Sequence, residues 1–402
     1  MSSTIRLRKV NHAYLQVDCD DRSTLMELSE FFQFYVPGYQ HMPAYKNRLW
    51  DGKIRLLCPR TNKIYAGLYD YILAFAAAEG RGYEIEDVDD PVYGPPRSVE
   101  DPDMSFVEGI SVSSKGQPIK PRDYQLEAVA HGLKDKRALL LSPTASGKSL
   151  IIYLLCRWYL EYHDDKILII VPTTSLVEQM YSDFEDYASA DDSFDVSEYC
   201  HKIYGGKDKT HDARVIISTW QSIYKLQKPW FKNFGCVIGD EAHNFKAKSL
   251  TSILTKLEEA EYRFGTTGTL DGTQTHKLVL EGLFGPVKHV TSTRELMDSG
   301  SLATLDINVL LLKYPEEVRK SVKGSKYHEE LEFIVTNEAR NKFIRNLALD
   351  QDGNTLVLFQ YVEKHGKPLH DLIRNAAEDG RQVFFVSGGT DVEGRERVRQ
   401  IT

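Results

Sequence analysis

The chain has 402 residues, 42% of them hydrophobic and 27% charged, a composition that excludes a disordered, collagen-like or disulfide-stapled protein. The formal net charge of -8, from 50 basic and 58 acidic residues, argues against a protein that coats nucleic acid by bulk charge. At about 150 residues per domain, this length predicts two or three domains.

The sequence carries no sign of export or membrane insertion. No apolar run approaches the roughly 18 residues that a membrane span needs, and no apolar region follows the charged N-terminus. We therefore expect a protein that stays inside its cell. The cysteines are odd in number, widely spaced and without a Cys-x-x-Cys pair, which predicts free thiols. They are Cys19, Cys58, Cys156, Cys200 and Cys236.

The first 118 residues predict a small domain followed by a linker. Residues 1–90 mix strand-like and helix-like segments, including an amphipathic helix predicted at residues 24–34 after Asp20 and Asp21. Residues 91–118 are proline-rich and lack apolar periodicity, and acidic residues precede them, so we predict a linker there.

From residue 119 onward, short β-branched runs alternate with longer helical stretches, which is typical of a parallel sheet covered by helices. We expect one complete α/β domain over residues 119–301. Its predicted strands are 138–141, 167–171, 215–218 and 236–239, and its predicted helices include 150–162 and 176–187.

A second α/β pattern begins at residue 302. Strands are predicted at residues 307–313, 355–360 and 382–386, and a helix is predicted at residues 337–349. Because a complete domain of this kind usually needs about 150 residues, we expect residues 302–402 to form only part of a second one.

A phosphate-binding turn is predicted between the strand 138–141 and the helix that follows it. In such a turn, backbone N–H groups point at the phosphates, Lys148 adds a positive charge, and the Ser149 hydroxyl can ligate Mg²⁺. Ser142 replaces the first glycine of the pattern, so this segment alone would leave an ordinary turn open. The turn comprises Ser142, Pro143, Thr144, Ala145, Ser146, Gly147, Lys148 and Ser149.

Two adjacent carboxylates, Asp240 and Glu241, follow directly on the apolar strand 236–239. Open α/β sheets bind ligands at the carboxyl ends of their strands. Asp240 is suited to hold Mg²⁺ through water, and Glu241 is suited to orient and deprotonate a water that attacks a γ-phosphate. The alternative is a helix N-terminus with acidic first-turn residues, which the upstream turn disfavours.

Together these segments resemble the motor core of superfamily 2 helicases, with the DEAH-type motif at residues 240–243, over about residues 120–390. The resemblance implies two RecA-like domains and ATP hydrolysis with Mg²⁺. Residues 121–125 resemble the Q motif, which implies that Gln125 contacts the adenine edge and that Arg122 packs near the base.

Three further segments occur in the order that this helicase family has. Residues 171–179 and 218–222 resemble two motifs that contact the DNA backbone. Residues 267–269 resemble the motif that couples hydrolysis to movement, together with His243. The residues carried over are Pro172, Thr173, Thr219, Trp220 and Gln221 for the nucleic acid, and Thr267 and Thr269 for the coupling. Taken alone, Trp220 would fit a core tryptophan at a strand end.

Residues 45–57, preceded by Gly38 and Tyr39, resemble the N-terminal region of the UvsW-type helicases of large tailed phages. Membership would imply an ATP-dependent DNA helicase that acts on forks, Holliday junctions and R-loops in recombination, replication and repair. It would also imply a monomeric motor in the cytoplasm of an infected host cell.

A local basic patch departs from the acidic balance of the whole chain. Residues 45–63 contain six basic side chains and one acidic side chain, with aromatic residues between them. Cations beside aromatic rings form a nucleic-acid footprint, and the alternative is a solvated strand face with Trp50 in the core. The residues that we predict to grip duplex DNA are Lys46, Arg48, Trp50, Lys53 and Arg55.

One family feature is missing. The resemblance implies an arginine finger on a helix after motif V, but residues 394–399 follow Ser387 and Gly388 without an intervening strand. We interpret this arginine-rich segment as a solvated helix start and expect motifs V and VI to be absent. Such a chain should bind nucleotide far better than it hydrolyses it, and we expect the parent protein to be longer.

Two other classes of function stay open from the residues alone. Backbone-contacting motifs do not distinguish DNA from RNA, so an RNA helicase or a restriction-type translocase subunit is possible. A strand-annealing or binding protein in which ATP only sets conformation is also possible.

Overall fold

The computed structural model describes residues 3–88, 101–206, 208–209, 212–246, 248–270, 272, 274–378 and 380–402, and it divides into two compact units, Met1–Thr304 and Leu305–Thr402. No described helix is both long enough and apolar enough to cross a membrane. The predicted linker falls partly on residues 89–100, which lie outside the described residues.

The N-terminal region of the first unit contains two small sheets. Strands in the order β5-β2-β1-β6 form the larger one, and β3 pairs with β4 in an antiparallel ribbon. The strands are β1 (Thr4–Lys9), β2 (Tyr14–Cys19), β3 (Gln33–Tyr35), β4 (Lys53–Arg55), β5 (Lys63–Tyr65) and β6 (Glu84–Asp87). The helices are α1 (Arg22–Phe31), α2 (Pro43–Lys46) and α3 (Tyr69–Ala77).

The amphipathic helix predicted at residues 24–34 is present as α1, but it begins and ends earlier. The Asp21 carboxylate accepts hydrogen bonds from the backbone N–H groups of Ser23 and Thr24, which satisfies the free donors of the first turn. Residues 33 and 34 belong to β3, because they pair with β4.

Part of the predicted linker is ordered structure. Residues 105–109 form a 3₁₀ turn, and strands β7 (Ser113–Ser114) and β8 (Gln117–Pro118) form a short hairpin. Val112 is buried, and Phe106 packs against the core of the motor sheet. The domain boundaries at residues 90, 118 and 301 stay predictions.

The motor region is a parallel sheet, seven-stranded in the part of the chain that the structure describes, in the order β11-β12-β10-β13-β14-β9-β15. The strands are β9 (Arg137–Leu141), β10 (Lys166–Val171), β11 (Cys200–Ile203), β12 (Val215–Thr219), β13 (Phe234–Asp240), β14 (Tyr262–Thr267) and β15 (Val287–His289). The helices are α4 (Asp123–Asp135), α5 (Lys148–Tyr162), α6 (Thr174–Ala188), α7 (Val196–Tyr199), α8 (Trp220–Ile223), α9 (Lys228–Phe231), α10 (Lys248–Lys256), α11 (Gln274–Leu283) and α12 (Thr293–Asp298).

This sheet confirms the predicted α/β motor domain and its four predicted strands. The strands are almost wholly buried because helices cover both faces, as parallel sheets require. The five cysteines are free, as predicted. Burial raises the pKa of the Cys200 thiol to about 12, so this thiol is neutral at physiological pH.

The second unit contains helices α13 (Glu316–Val322), α14 (Tyr327–Thr336), α15 (Glu338–Leu349), α16 (Lys367–Arg374) and α17 (Val392–Ile401). The helix predicted at residues 337–349 is α15, and Asn337 caps it by accepting from Arg340 N. The three strands predicted at 307–313, 355–360 and 382–386 are wrong within the described residues, where no ladder joins them. Several of their apolar side chains, including Ile307 and Leu358, are exposed, while Val357 and Val383 pack against a small cluster of buried residues.

The N-terminal sheet and the motor sheet share one hydrophobic core. A single cluster of buried residues runs from Ile5 and Leu15 to Leu278 and Phe284. At the contact, a Cβ on Gly67 would lie 2.0 Å from the carbonyl oxygen of Glu281, so only glycine permits this backbone approach.

Polar contacts close the same interface. The Tyr71 hydroxyl donates to the Glu281 carboxylate at 2.7 Å, and His12 N donates to the Glu258 carbonyl at 3.0 Å. Burial lowers the pKa of His12 to about 3, so its imidazole is neutral at physiological pH. The N-terminal region and the motor sheet therefore form one packed body.

Candidate nucleotide and nucleic-acid sites

The carboxyl edge of the motor sheet gathers most of the predicted motor residues. The phosphate-binding turn follows β9, Asp240 ends β13, and Thr266 and Thr267 end the strand between them, β14. Asp240 pairs in register with Thr266. Parallel strands present their carboxyl ends at one edge, so three segments that are distant in sequence become neighbours.

The phosphate-binding turn has the backbone shape that an anion site needs. Ala145 has a φ of 66° and Gly147 a φ of 78°, both in the left-handed region. Alternation of right- and left-handed residues turns successive N–H groups toward one point, and α5 begins immediately afterwards. A nucleotide phosphate fits this geometry.

Serine hydroxyls brace the turn from inside. The Ser146 hydroxyl donates to the Pro143 carbonyl at 2.7 Å, which leaves its oxygen to accept from the Ser142 hydroxyl at 2.5 Å. Ser142 N donates to the Thr267 carbonyl at 2.9 Å. Ser142 is fully buried, so the serine that replaces the expected glycine anchors the turn to β14.

Within the described residues, the Lys148 ammonium makes two long hydrogen bonds, 3.4 Å to the Ser142 carbonyl and 3.5 Å to the Pro143 carbonyl. No carboxylate pairs with it among the salt bridges of the described residues. A half-buried cation held this loosely suits an incoming phosphate. Thr144, at the apex of the turn, is exposed.

Gln125 is already bonded within the protein. Its Oε1 accepts from Arg122 N at 2.8 Å, and its Nε2 donates to the Ser146 carbonyl at 2.9 Å. The Tyr124 hydroxyl donates to the same carbonyl at 3.0 Å and accepts from the Arg122 guanidinium at 2.9 Å. The amide thus positions the phosphate-binding turn in this structure, and its adenine contact stays a prediction.

Asp240 and Ser149 are the side chains that could hold Mg²⁺. The Asp240 carboxylate accepts a hydrogen bond from the Thr266 hydroxyl at 2.7 Å. This bond fixes Oδ1 and leaves Oδ2 to face a metal ion. The Ser149 hydroxyl lies 2.8 Å from the Tyr187 hydroxyl. Burial raises the pKa of Tyr187, so this phenol is protonated and able to donate.

Glu241 and His243 connect to the segment 267–269. The Thr267 hydroxyl donates to the Thr269 carbonyl at 2.9 Å, so its oxygen accepts from His243 Nδ1–H at 3.0 Å. The same ring nitrogen lies 3.3 Å from the Glu241 carboxylate. Glu241 has a φ of 51°, a conformation that is uncommon outside glycine and that recurs at functional sites.

A cleft of about 590 Å³ opens at the ends of β10 and β12, and four of the predicted nucleic-acid residues line it: Pro172, Thr173, Thr219 and Gln221. Gln221 Nε2 donates to the Pro172 carbonyl at 3.3 Å, which joins the two motifs. Trp220 does not line the cleft; its indole packs against the core beside Tyr224, as the alternative for this residue expected.

The N-terminal basic patch has two parts: Lys53 and Arg55 lie on β4 of the β3–β4 ribbon, whereas Lys46 ends α2 and Arg48 follows it. Lys53 and Tyr35 are paired across the ribbon, and the Lys53 ammonium lies 5.0 Å from the centre of the Tyr35 ring. The Arg55 guanidinium forms an ion pair with Asp51. Trp50 is half-buried, and its indole N–H donates to the Lys53 carbonyl at 2.8 Å. Lys46 and Arg48 are exposed.

Matches to known protein families cover both the N-terminal region and the motor region. Residues 4–86 match the family "DNA helicase UvsW, N-terminal", and residues 118–272 match "Type III restriction enzyme, res subunit". The chain is 35% identical over 99% of its length to the "ATP-dependent DNA helicase uvsW" of Enterobacteria phage T4 and covers 78% of that relative. The chain belongs to the UvsW helicase family.

Two solved structures of the UvsW helicase from bacteriophage T4 are similar to this chain. One is 34% identical with a TM-score of 0.65, and the match covers all of this chain and 78% of the solved chain. The other is 34% identical with a TM-score of 0.63, and the match covers 72% of this chain and all of the solved chain. The predicted fold class is confirmed in its RecA-like parallel sheet and its small α+β N-terminal region, whereas the second unit forms no sheet within its described residues.

Sequence reasoning missed several residues at the sites of this UvsW-family chain. Thr266 and Tyr187 contact the two candidate metal ligands, and a motif of consecutive residues gives no sign of such distant contacts. Tyr204, Gly205, Gly206 and Lys209 line the cleft. The glycine pair, which comes one residue after the edge strand β11, would have been the usable signal, since glycine permits close backbone approach.

Proposed function

We propose that this protein is an ATP-dependent DNA helicase that acts on branched DNA, namely forks, Holliday junctions and R-loops, in recombination, replication and repair. Its relationship to phage helicases further suggests action in the cytoplasm of an infected host cell, and we propose a monomeric motor. The observation that carries the proposal is the juxtaposition of the phosphate-binding turn, Asp240 and Thr267 at one sheet edge in a UvsW-family chain.

The nucleotide chemistry follows from the residues at that edge. Lys148 and the backbone of residues 144–149 bind the phosphates, and Ser149 and Asp240 would hold Mg²⁺, which supplies charge stabilisation at the phosphates. Glu241 orients the attacking water and accepts its proton. His243, in contact with both Glu241 and Thr267, is placed to report the state of this base to the segment 267–269.

The DNA path that we propose uses two surfaces. Thr173, Thr219 and Gln221 contact the phosphate backbone of a tracking strand in the 590 Å³ cleft. Lys53 and Arg55 contact duplex phosphates from the N-terminal ribbon, and Lys46 and Arg48 contact them from α2 and the turn after it. Both surfaces lie on the same packed body, so a fork could be held at both together.

We also propose that the chain binds nucleotide better than it hydrolyses it. An arginine finger contributes about 10³ to 10⁵ in rate in related phosphoryl transfers. The Arg395 guanidinium is held by the carbonyls of Ser387, Gly388 and Thr390, which leaves it poorly suited to that role. Weak DNA-stimulated ATP turnover is expected, and fast turnover would show that another arginine completes the site.

The substrate proposal is tested with Glu241→Gln, which should keep ATP binding while blocking hydrolysis. Filter binding with ATP should show a preference of at least about tenfold for forks, Holliday junctions and R-loops over linear duplex DNA of equal length. Equal affinities would contradict the proposal. Tighter binding of duplex RNA would favour an RNA helicase, and strand annealing that persists in Glu241→Gln would favour a binding protein in which ATP only sets conformation.

A further inference from the structure

The apolar side chain of Leu49 is exposed to solvent. It is 81% exposed, more than any other large hydrophobic residue among the described residues of the first unit. A single exposed leucine is ordinary on a protein surface. This one lies in a segment that also exposes Tyr35 and Met42, at 53% and 38%.

The segment that presents Leu49 is held in one conformation. Leu49 N donates to the Ala44 carbonyl and Arg48 N to the Tyr45 carbonyl, both at 2.9 Å. These bonds hold Arg48 at a φ of 57°, in the left-handed region. On the far side, the half-buried Trp50 is fixed by its bond to the Lys53 carbonyl. Leu49 is therefore presented by an ordered turn.

Aromatic rings pack behind this turn. Tyr39 stacks on Tyr35 and meets the Tyr45 ring edge-on, with 4.7 Å between ring centres in each pair. The Tyr39 ring covers Gly52, where a Cβ would lie 2.4 Å from the ring. The Tyr35 ring, at the exposed end of this series, also lies beneath the Lys53 ammonium.

The charge around Leu49 suits a polyanion. Residues 31–50 contain no aspartate or glutamate, in a chain with 58 acidic residues. Lys46 and Arg48 are exposed beside Leu49 in the sequence, and Lys53 is paired with Tyr35 across the ribbon. An apolar side chain between cations matches DNA, which offers phosphates outside and flat apolar base faces where stacking is interrupted.

We propose that Leu49 is a wedge that enters the outermost base step of duplex DNA at a branch point, while Lys46 and Arg48 contact the flanking phosphates. The exposed Tyr35 ring then stacks with the base that the wedge displaces. Apolar side chains that unstack a base step are a known device of DNA-bending proteins, and unstacking is easiest where a branch already interrupts the stack. The proposal rests on the proposed action on branched DNA and names the residue that selects the branch.

The wedge predicts a division of roles within the patch. Leu49 carries no charge, so it contributes to the preference for a branch and leaves the salt dependence of binding unchanged. The lysines and arginines set that salt dependence and contribute equally to branched and linear DNA.

The test uses the full chain and a synthetic fork with 2-aminopurine at the base pair beside the branch, since its fluorescence rises when the base unstacks. The unmodified protein and Leu49→Met should raise the fluorescence. Leu49→Ser should abolish the rise and weaken fork binding by about tenfold, while its affinity for linear duplex and its salt slope stay unchanged. Met26→Ser is the matched control, because Met26 is 58% exposed on α1.

The outcomes separate the wedge from the function that it serves. A full fluorescence rise with Leu49→Ser, together with salt-dependent fork binding, would overturn the wedge and leave the branched-DNA function in place. Equal losses with Leu49→Ser and Met26→Ser would also overturn it, since the effect would then be nonspecific. Failure of the unmodified protein to prefer the fork over linear duplex would overturn both proposals.

Discussion

The phosphate-binding turn and the N-terminal ribbon are the two sites at which we propose phosphate binding, and they are built in opposite ways. In the turn, the side chains of Ser142, Ser146 and Gln125 bond to one another and to backbone carbonyls, and the backbone itself faces the ligand. In the ribbon, the backbone forms the ladder and side chains carry the charge: the Lys53 ammonium lies over the Tyr35 ring, and the exposed Arg55 pairs with Asp51. The first site depends on its shape and the second on its exposed charges.

This difference has consequences for specificity. A site built from fixed N–H groups accepts only a ligand of matching geometry, because displaced donors cannot follow a misplaced phosphate. A site built from flexible cations accepts any phosphate backbone and is screened by salt. Substitutions at Lys148, in the ribbon, at Gly67 and at Tyr187 test this contrast and the packed interface that joins the two regions.

Lys148→Ala should have the largest effect on nucleotide binding. A hydrogen bond to a charged group contributes about 1.5–3 kcal/mol, so the loss should weaken ATP binding by roughly 10- to 150-fold. Equilibrium binding of a fluorescent ATP analogue measures it. Lys232→Ala, at an exposed position away from the turn, should bind normally. Equal binding by the two variants would refute the assigned role of Lys148.

Charge reversal of the ribbon, Lys53→Glu with Arg55→Glu, should weaken fork binding and flatten its salt dependence. Each phosphate contact contributes about 1 to the slope of log affinity against log salt, so the slope should fall by about 2. ATP binding should not change, because the two sites bind by different means. Titrations at several salt concentrations, with Lys232→Glu as control, provide the measurement. An unchanged slope would exclude the ribbon from the DNA path.

Gly67→Ala should destabilise the interface that joins the two regions. The added Cβ would meet the Glu281 carbonyl at 2.0 Å, and overpacking of this kind costs about 1–3 kcal/mol in the free energy of unfolding. Thermal unfolding by circular dichroism should show a lower midpoint. Gly109→Ala has open space around its Cβ and should stay close to the unmodified protein. Similar midpoints for both variants would argue against tight packing at Gly67.

Tyr187→Phe should have the smallest effect, and in the favourable direction. Removing the phenol frees the Ser149 hydroxyl from its 2.8 Å partner, so less Mg²⁺ should be needed for nucleotide binding. A hydrogen bond contributes about 0.5–1.5 kcal/mol net, which corresponds to a shift of roughly two- to tenfold. Mg²⁺ titrations of ATP binding measure the shift. Tyr181→Phe, on the same helix, serves as the control, and a requirement raised by Tyr187→Phe would contradict this reading.

Local sequence predicted the motor region well because its signals are local. An apolar strand, a turn and a helix follow one another within about 25 residues around Lys148, and the carboxylates follow directly on β13. The same reasoning could not find Tyr187, which meets Ser149 from 38 positions away. It also could not find Arg263, a fully buried strand residue whose guanidinium donates to the carbonyls of Ala260, Leu254 and Leu257.

The strands predicted in the second unit show where local sequence patterns fail to predict structure. The segment 307–313 has the apolar composition of a buried strand, but a strand exists only when a neighbour supplies its hydrogen bonds. In the described part of the second unit no such ladder forms, and Leu311 is 82% exposed. The composition of a segment indicates that its side chains tend to be buried, but it does not identify the neighbouring strand or helix that would bury them.

The backbone contact at Gly67 has a mechanical consequence. Glu281 belongs to α11, and α11 begins five residues after Thr269, which lies in the segment joined to His243 and Glu241. A load placed on the N-terminal sheet by a DNA strand would pass through this close backbone contact into α11. Resistance met at the DNA would then strain the backbone near Glu241, the residue that we propose accepts a proton from the attacking water.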